Sequence, residues 1–249
     1  FSTRAVSPED LRTQEGEARM LGGLNHPALV GLLDAGVDLT DASAPQMYLI
    51  MEFVEGSDLR QRLRQGALTP FEVAYLGWDL LGALEYVHEH GIIHRDLKPA
   101  NVLLTPAQAR PARGKLADFG IAVLTGTVPE TGEETTGTAA YLSPEQVEGD
   151  DATPATDVYS LGLVLLEALT GRVEFPGSVL ESAAARLDRD PVVPSAVPDA
   201  IATVLRGMLV RDPAARLPLP EVAVGLQNAL IAELVRERAL DPALVAPNE

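Results

Sequence analysis

His94-Arg95-Asp96-Leu97-Lys98-Pro99-Ala100-Asn101 places a carboxylate, an ammonium and an amide within eight residues, and Asp118-Phe119-Gly120 adds a second carboxylate further on. A side chain able to take a proton, next to oxygens able to hold divalent cations, is the set that in-line phosphoryl transfer requires. That reaction asks the protein for little covalent work. It needs a positioned nucleophile, neutralised phosphate charge and a dry cleft. The first run fits the pattern H-R-D-L-x-x-x-N without a mismatch. Between the two runs, Val102-Leu103-Leu104 and Lys115-Leu116-Ala117 read as short strands. Singly, an Asp beside an Arg is a surface ion pair and Asp-Phe-Gly recurs by chance. Together and in this order they are specific.

With Gly137-Thr138-Ala139-Ala140-Tyr141-Leu142-Ser143-Pro144-Glu145 downstream, the chain resembles the serine/threonine protein kinases. Its alanine-rich, cysteine-free sequence is similar to their bacterial eukaryotic-like branch. The resemblance implies that Asp96 orients or accepts the proton of a substrate hydroxyl. It implies that Asn101 and Asp118 hold two magnesium ions, with manganese as an alternative, and that Lys98 reaches the γ-phosphate of ATP. A lysine at this place implies a Ser/Thr rather than a Tyr acceptor. Ser143-Pro144-Glu145 stands where the family has Ala-Pro-Glu. Thr138 would contact the catalytic Asp and Lys, Glu145 would pair with Arg216, and Asp157 would steady the catalytic loop from a buried central helix. Arg95 is expected to be buried and to favour an anionic partner, which a phosphorylated Thr135 or Thr136 could supply. Met51-Glu52-Phe53-Val54-Glu55-Gly56 resembles the hinge between lobes. The backbone of Glu52 and Val54 would meet adenine, with Met51 behind it and Leu103 completing the nucleotide contacts. Asp58 would touch ribose, although Ser57-Asp58 is equally a helix start. Glu17 matches the glutamate that pairs with the ATP-orienting lysine; a solvated helix glutamate is the alternative.

Composition narrows the partners. The 249 residues carry 19 basic against 36 acidic side chains, a formal charge of −17. That balance argues against nucleic acid and against adsorption to anionic membrane, since both reward lysine and arginine. Protein substrates and ATP are the expected partners, with a second copy of the chain for autophosphorylation. The absence of cysteine excludes disulfides and thiolate metal sites and fits a cytoplasmic setting. No signal peptide is read at the start, and no segment reaches the roughly 18 apolar residues of a membrane span. Kinases of this branch are often anchored by a span beyond the catalytic domain, so a membrane-anchored parent stays open.

The elements that must position these residues follow from local pattern. Ser7-Pro8-Glu9-Asp10 reads as a helix start, and two strands are expected at Leu29–Leu33 and Met47–Met51, joined by a polar turn. Thr69-Pro70-Phe71-Glu72 is a capping box. It launches a helix with Val73, Leu76, Leu80, Leu84 and Val87 at helical spacing. From Asp157 to Thr170 the chain is apolar nearly all round, hence interior. Further helices are expected over Val179–Leu187, Ala200–Leu209 and Glu221–Leu234. His88 and His90 are two apart and face different sides of a helix, so a metal role is not read; His94 reads as packed core.

The resulting fold class is α+β, bilobal and kinase-like: residues 1–51 as a partial small lobe, 52–56 as hinge, 57–235 as a helical lobe and 236–249 as tail. The family's glycine-rich loop and its V-A-I-K lysine do not occur in this sequence, so the chain is expected to be an N-terminally truncated piece, inactive by itself. Two alternatives remain at this point. One is a pseudokinase binding module, against which Asp96, Asn101 and Asp118 all speak. The other is a small-molecule kinase, which lacks reason to carry Lys98 or the segment from Gly137 to Glu145.

Overall fold

The structure is a computed structural model and describes residues 2–4, 22–38, 40, 46–106, 111–118 and 139–240. Strands β1 (Ser2–Arg4), β2 (Leu32–Asp38) and β3 (Gln46–Met51) form an antiparallel sheet in the order β1-β3-β2. The β2–β3 ladder pairs Gly36 with Tyr48 and carries an irregularity between Leu32 and Asp34. A second antiparallel sheet orders β4 (Ser57–Asp58), β5 (Val102–Thr105) and β6 (Arg113–Leu116) as β4-β5-β6. Helices α1 (Leu59–Leu63), α2 (Pro70–Glu89), α3 (Pro144–Glu148), α4 (Pro154–Thr170), α5 (Val179–Asp188), α6 (Asp199–Met208) and α7 (Leu219–Leu240) make up most of the rest.

Helix α2 starts where its residues dictate. The Thr69 hydroxyl accepts from the Glu72 N–H at 3.2 Å and the Glu72 carboxylate accepts from the Thr69 N–H at 2.7 Å. Such a cap is worth about 1 kcal/mol. The expected stripe of Val73, Leu76, Leu80, Leu84 and Val87 is fully buried. It packs against β6, α4 and α7. Helix α4 is buried on nearly every side, from Thr156 to Leu166, and ends at Gly171 in the left-handed conformation. One continuous apolar core joins α2, α4, α6 and α7 to the second sheet.

Two expected elements differ. The first strand does not run Leu29–Leu33: β2 begins at Leu32 and continues through Asp38, across the stretch read as a polar turn. Asp34 and Asp38 are exposed on this strand, and Leu29 instead bridges Leu116 in parallel. The Asp and Gly residues that signal a turn are accommodated because the ladder to β3 satisfies their backbone, while Asp34 Oδ1 accepts from the Ala35 N–H and Asp38 Oδ1 from the Thr40 N–H, each at 2.8 Å. Helix α7 also extends to Leu240, into the residues read as tail from Arg236. Arg236 to Leu240 contains no Gly or Pro, and its residues are good helix formers. The helix expected from Ser7, including Glu17, lies outside the described residues.

Candidate active site

Backbone geometry sets the first-described motif before any side chain acts. Asp157, on α4, is fully buried at 0% exposure. Its Oδ2 accepts from the His94 N–H at 2.8 Å and from His88 Nε2 at 2.7 Å, and its Oδ1 accepts from the Arg95 N–H at 2.9 Å. Arg95 has φ 68°, a region that costs a non-glycine residue about 1–3 kcal/mol and persists only when neighbours enforce it. Asp157 is one such neighbour. Gln146 is another, donating from Nε2 to the Arg95 carbonyl at 2.9 Å. The Arg95 side chain itself is exposed, which corrects the expectation of a buried guanidinium. Its backbone does the packing, so the side chain is turned outward. His94 is buried, and its Nδ1 accepts from the Asp96 N–H at 3.2 Å while Nε2 meets the Ala117 carbonyl at 3.0 Å.

The residues expected from sequence to carry the chemistry sit on this frame. Asp96 Oδ2 accepts from Lys98 Nζ at 2.8 Å and from Asn101 Nδ2 at 3.1 Å, and Asn101 Nδ2 also donates to the Asp96 carbonyl at 2.8 Å. Asp96 Oδ1 is buried and has no hydrogen-bond partner among the described residues. A buried acceptor without a donor is costly, and such a lone pair is suited to a hydroxyl that arrives later. Asn101 closes a 3-10 turn, Pro99–Asn101, and its carbonyl accepts from the Ala117 N–H at 2.8 Å. That bond ties the turn to the residue preceding Asp118. Burial pushes the Asp118 carboxyl above its ordinary value, Asp96 pushes the same way and Lys98 opposes. The three predicted oxygen-bearing residues therefore share one electrostatic neighbourhood.

That donor set fits magnesium. With Nδ2 spent on Asp96, the amide of Asn101 offers its oxygen, and Asp118 offers a desolvated carboxylate. No cluster of three or more His, Asp or Glu that could hold a metal occurs among the described residues. Magnesium asks for no such cage, since it takes one or two carboxylates and keeps water and phosphate oxygens.

Around the expected hinge, the Glu52 N–H donates to the Gly31 carbonyl at 2.7 Å. Gly56 has φ 144°, and a Cβ there would lie 2.0 Å from the Leu104 carbonyl oxygen, so only glycine fits. Strand pairing sets Asp58 opposite Leu103, and Leu103 opposite Lys115. Asp58 caps α1, its Oδ1 accepting from the Gln61 N–H at 2.7 Å, which is the helix-start reading of that residue. Met51 ends β3, and Val54 lies half-buried in the link that follows.

Scaffold pairs expected from sequence are in place. Glu145 receives two hydrogen bonds from Arg216, at 2.7 and 2.9 Å, and one from Thr156 at 2.9 Å. Burial pushes its carboxyl up, but the Arg216 bonds outweigh this and leave it below its ordinary value. His88 and His90 take separate partners, Asp157 and the Tyr86 carbonyl. Sequence reasoning missed two contributors. Lys115 of β6 binds the Glu52 carboxylate at 2.7 Å to each oxygen. Arg186 of α5 is buried and donates to the carbonyls of Ala139 and Ala140 at 2.9 and 2.7 Å. Phe119, Gly120, Gly137, Thr138 and the threonines from Thr125 to Thr136 lie outside the described residues.

A family model described as protein kinase domain matches residues 2–224. The chain is 40% identical over 242 residues to a probable serine/threonine-protein kinase of Streptomyces coelicolor, SCO3848, covering 92% of this chain and 35% of that protein. It is 37% identical over 234 residues to the serine/threonine-protein kinase PknB of Mycobacterium tuberculosis, covering 91% of this chain and 36% of that one. PknL of the same organism is 39% identical over 225 residues, covering 87% and 54%. The chain thus spans about a third of the length of the first two relatives. A match over nearly all of its length, on a fold of small antiparallel sheets and a helical remainder, places the chain in the protein kinase domain family.

Proposed function

We propose that the chain is the catalytic part of a bacterial serine/threonine protein kinase, moving the γ-phosphoryl group of ATP to Ser or Thr hydroxyls of proteins. The observation that carries this reading is the Asp96 carboxylate. One oxygen is fixed by Lys98 and Asn101, and the other is buried and unpartnered among the described residues, beside the desolvated Asp118. In this reading the acceptor hydroxyl donates to Asp96 Oδ1. Its oxygen attacks the γ-phosphorus, the bond to the β,γ-bridging oxygen breaks, ADP leaves, and Asp96 carries the proton away. Magnesium held by Asn101 and Asp118 would neutralise phosphate charge. Lys98 orients the base and adds a cation on the same side.

Residues 1–51 then belong to the small lobe, 52–56 to the hinge and 57–235 to the large lobe, with α7 continuing past that limit to Leu240. Met51, the backbone of Glu52 and Val54, Asp58 and Leu103 face the nucleotide, and Glu17, outside the described residues, is the glutamate matched to the partner of the ATP-orienting lysine. Thr135 or Thr136 is the proposed autophosphorylation site, reached by a second copy, with the exposed Arg95 as its cationic partner. Among the described residues no helix is long and apolar enough to cross a membrane. The proposed setting of the reaction is the cytoplasm, where Mg-ATP is abundant.

Labelled-phosphate transfer from Mg-ATP to Ser/Thr peptides by the full-length protein tests this. Asp96→Asn should lower kcat at least about a hundredfold with nucleotide affinity largely kept. An unchanged rate in that variant would remove Asp96 from the mechanism.

A further inference from the structure

Glu52 and Lys115 are separated by 63 residues, yet their side chains meet where the two sheets approach. Lys115 Nζ donates to both Glu52 carboxylate oxygens at 2.7 Å and to the Leu29 carbonyl at 3.3 Å. An ammonium has three protons, so these contacts use all of them. Glu52 in turn grips Gly31 twice: its Oε2 accepts from the Gly31 N–H at 3.2 Å, and its own N–H donates to the Gly31 carbonyl at 2.7 Å. Residues 28–31 are themselves laced to β6, through Val30 N–H to the Leu116 carbonyl at 2.9 Å and Leu116 N–H to the Ala28 carbonyl at 2.8 Å. The result is a closed ring of hydrogen bonds through β6, residues 28–31 and the first hinge residue. The Lys115 hydrogen bonds hold the Glu52 carboxyl below its ordinary value.

We infer that Lys115 is a positioning residue for the nucleotide, setting the Glu52 peptide against the adenine edge through the Glu52 carboxylate. This rests on the nucleotide-binding reading given above and adds a residue to it. With the Glu52 N–H committed to Gly31, the carbonyl is the backbone group of Glu52 that can serve a base. Its direction depends on how the residue is held. Lys115 also lies three positions before Asp118 on the same strand run, so the base-facing peptide and the metal-facing carboxylate are referenced to one segment of backbone. Small errors in such placement are expensive for catalysis and binding. The Lys115 side chain is 18% exposed and the Glu52 side chain 38%, so the pair is partly screened by water and its weight here lies in geometry more than in charge.

The test is the dissociation constant of two ligands, Mg-ADP and Mg-tripolyphosphate, measured calorimetrically on the full-length protein, wild type and Lys115→Met. The expectation is that Mg-ADP weakens about fivefold to tenfold while tripolyphosphate, which has no base, stays within about twofold. Lys115→Arg, which keeps the charge, should recover most of the loss. Glu52→Gln, which keeps size and backbone, should reproduce Lys115→Met and serves if that variant does not fold. In steady-state assays KM for ATP should rise by a larger factor than kcat falls. Equal weakening of both ligands, or Mg-ADP unchanged in Lys115→Met and Glu52→Gln, would overturn the inference while leaving the nucleotide site standing. Failure of the wild-type full-length protein to bind Mg-ADP would overturn the nucleotide reading itself, and this inference with it.

Discussion

Replacing Asp157 by alanine is the sharpest structural perturbation this site offers. The carboxylate is fully buried and accepts from the His94 and Arg95 N–H groups and from His88 Nε2. Alanine leaves both backbone N–H groups without an acceptor, at about 1–3 kcal/mol each, and breaks the buried contact to His88. Relaxation of Arg95 from φ 68° returns part of that cost, since such a conformation stores about 1–3 kcal/mol. The expected net loss is about 3–5 kcal/mol, a large share of the roughly 5–15 kcal/mol that holds a domain folded. For a chain of this size that is roughly a 10 °C fall in Tm. Asparagine should lose about half as much, because it presents a single acceptor oxygen and points an NH2 group at existing donors. Urea unfolding gives the magnitude, and hydrogen exchange at the His94 and Arg95 amides gives the location. If Asp157→Ala unfolded within about 1 kcal/mol of wild type with both amides still protected, the claim that this carboxylate holds the loop would be wrong.

Other outcomes follow from the same geometry. Asp118→Asn should abolish the magnesium dependence of ADP binding. It should also raise the Tm of the ligand-free chain, because burial already disfavours the charged carboxylate there; calorimetry with and without magnesium checks both. Glu145 has a depressed folded pKa, so its contribution is present above its unfolded value and lost as pH falls through the folded one. Wild-type stability should therefore drop below about pH 4.3, and Glu145→Gln, costing about 3 kcal/mol at neutral pH, should show a shallower acid limb in urea titrations. Gly56→Ala puts a Cβ 2.0 Å from the Leu104 carbonyl. It should cost about 1–3 kcal/mol by chemical denaturation and weaken Mg-ADP as the hinge shifts.

What could be read in advance was what depends on near neighbours. The Thr69 capping box, the buried stripe of α2 and the all-apolar α4 are local patterns, and each forms as its residues direct. Asp96, Lys98 and Asn101 are legible for the same reason: a few residues of chain suffice to bring them together. Local chemistry misled at Asp34-Ala35-Gly36, where turn formers lie in a strand because β3 supplies the ladder. It misled again at Arg95, whose exposure follows from its backbone being the packed part.

The chain's residues alone determined the candidate reactive set, the main helical stretches and the family, because motif spacing and periodicity are properties of short stretches. Only the tertiary structure decided the partners of groups far apart along the chain. Arg186 lies on a helix legible only as a helix, and it is buried because the Ala139 and Ala140 carbonyls are brought to it. Lys115 meets Glu52 because two sheets converge, and no pattern in either segment names the other. Charge pairing of this kind is set by packing, and packing is decided by the whole core at once.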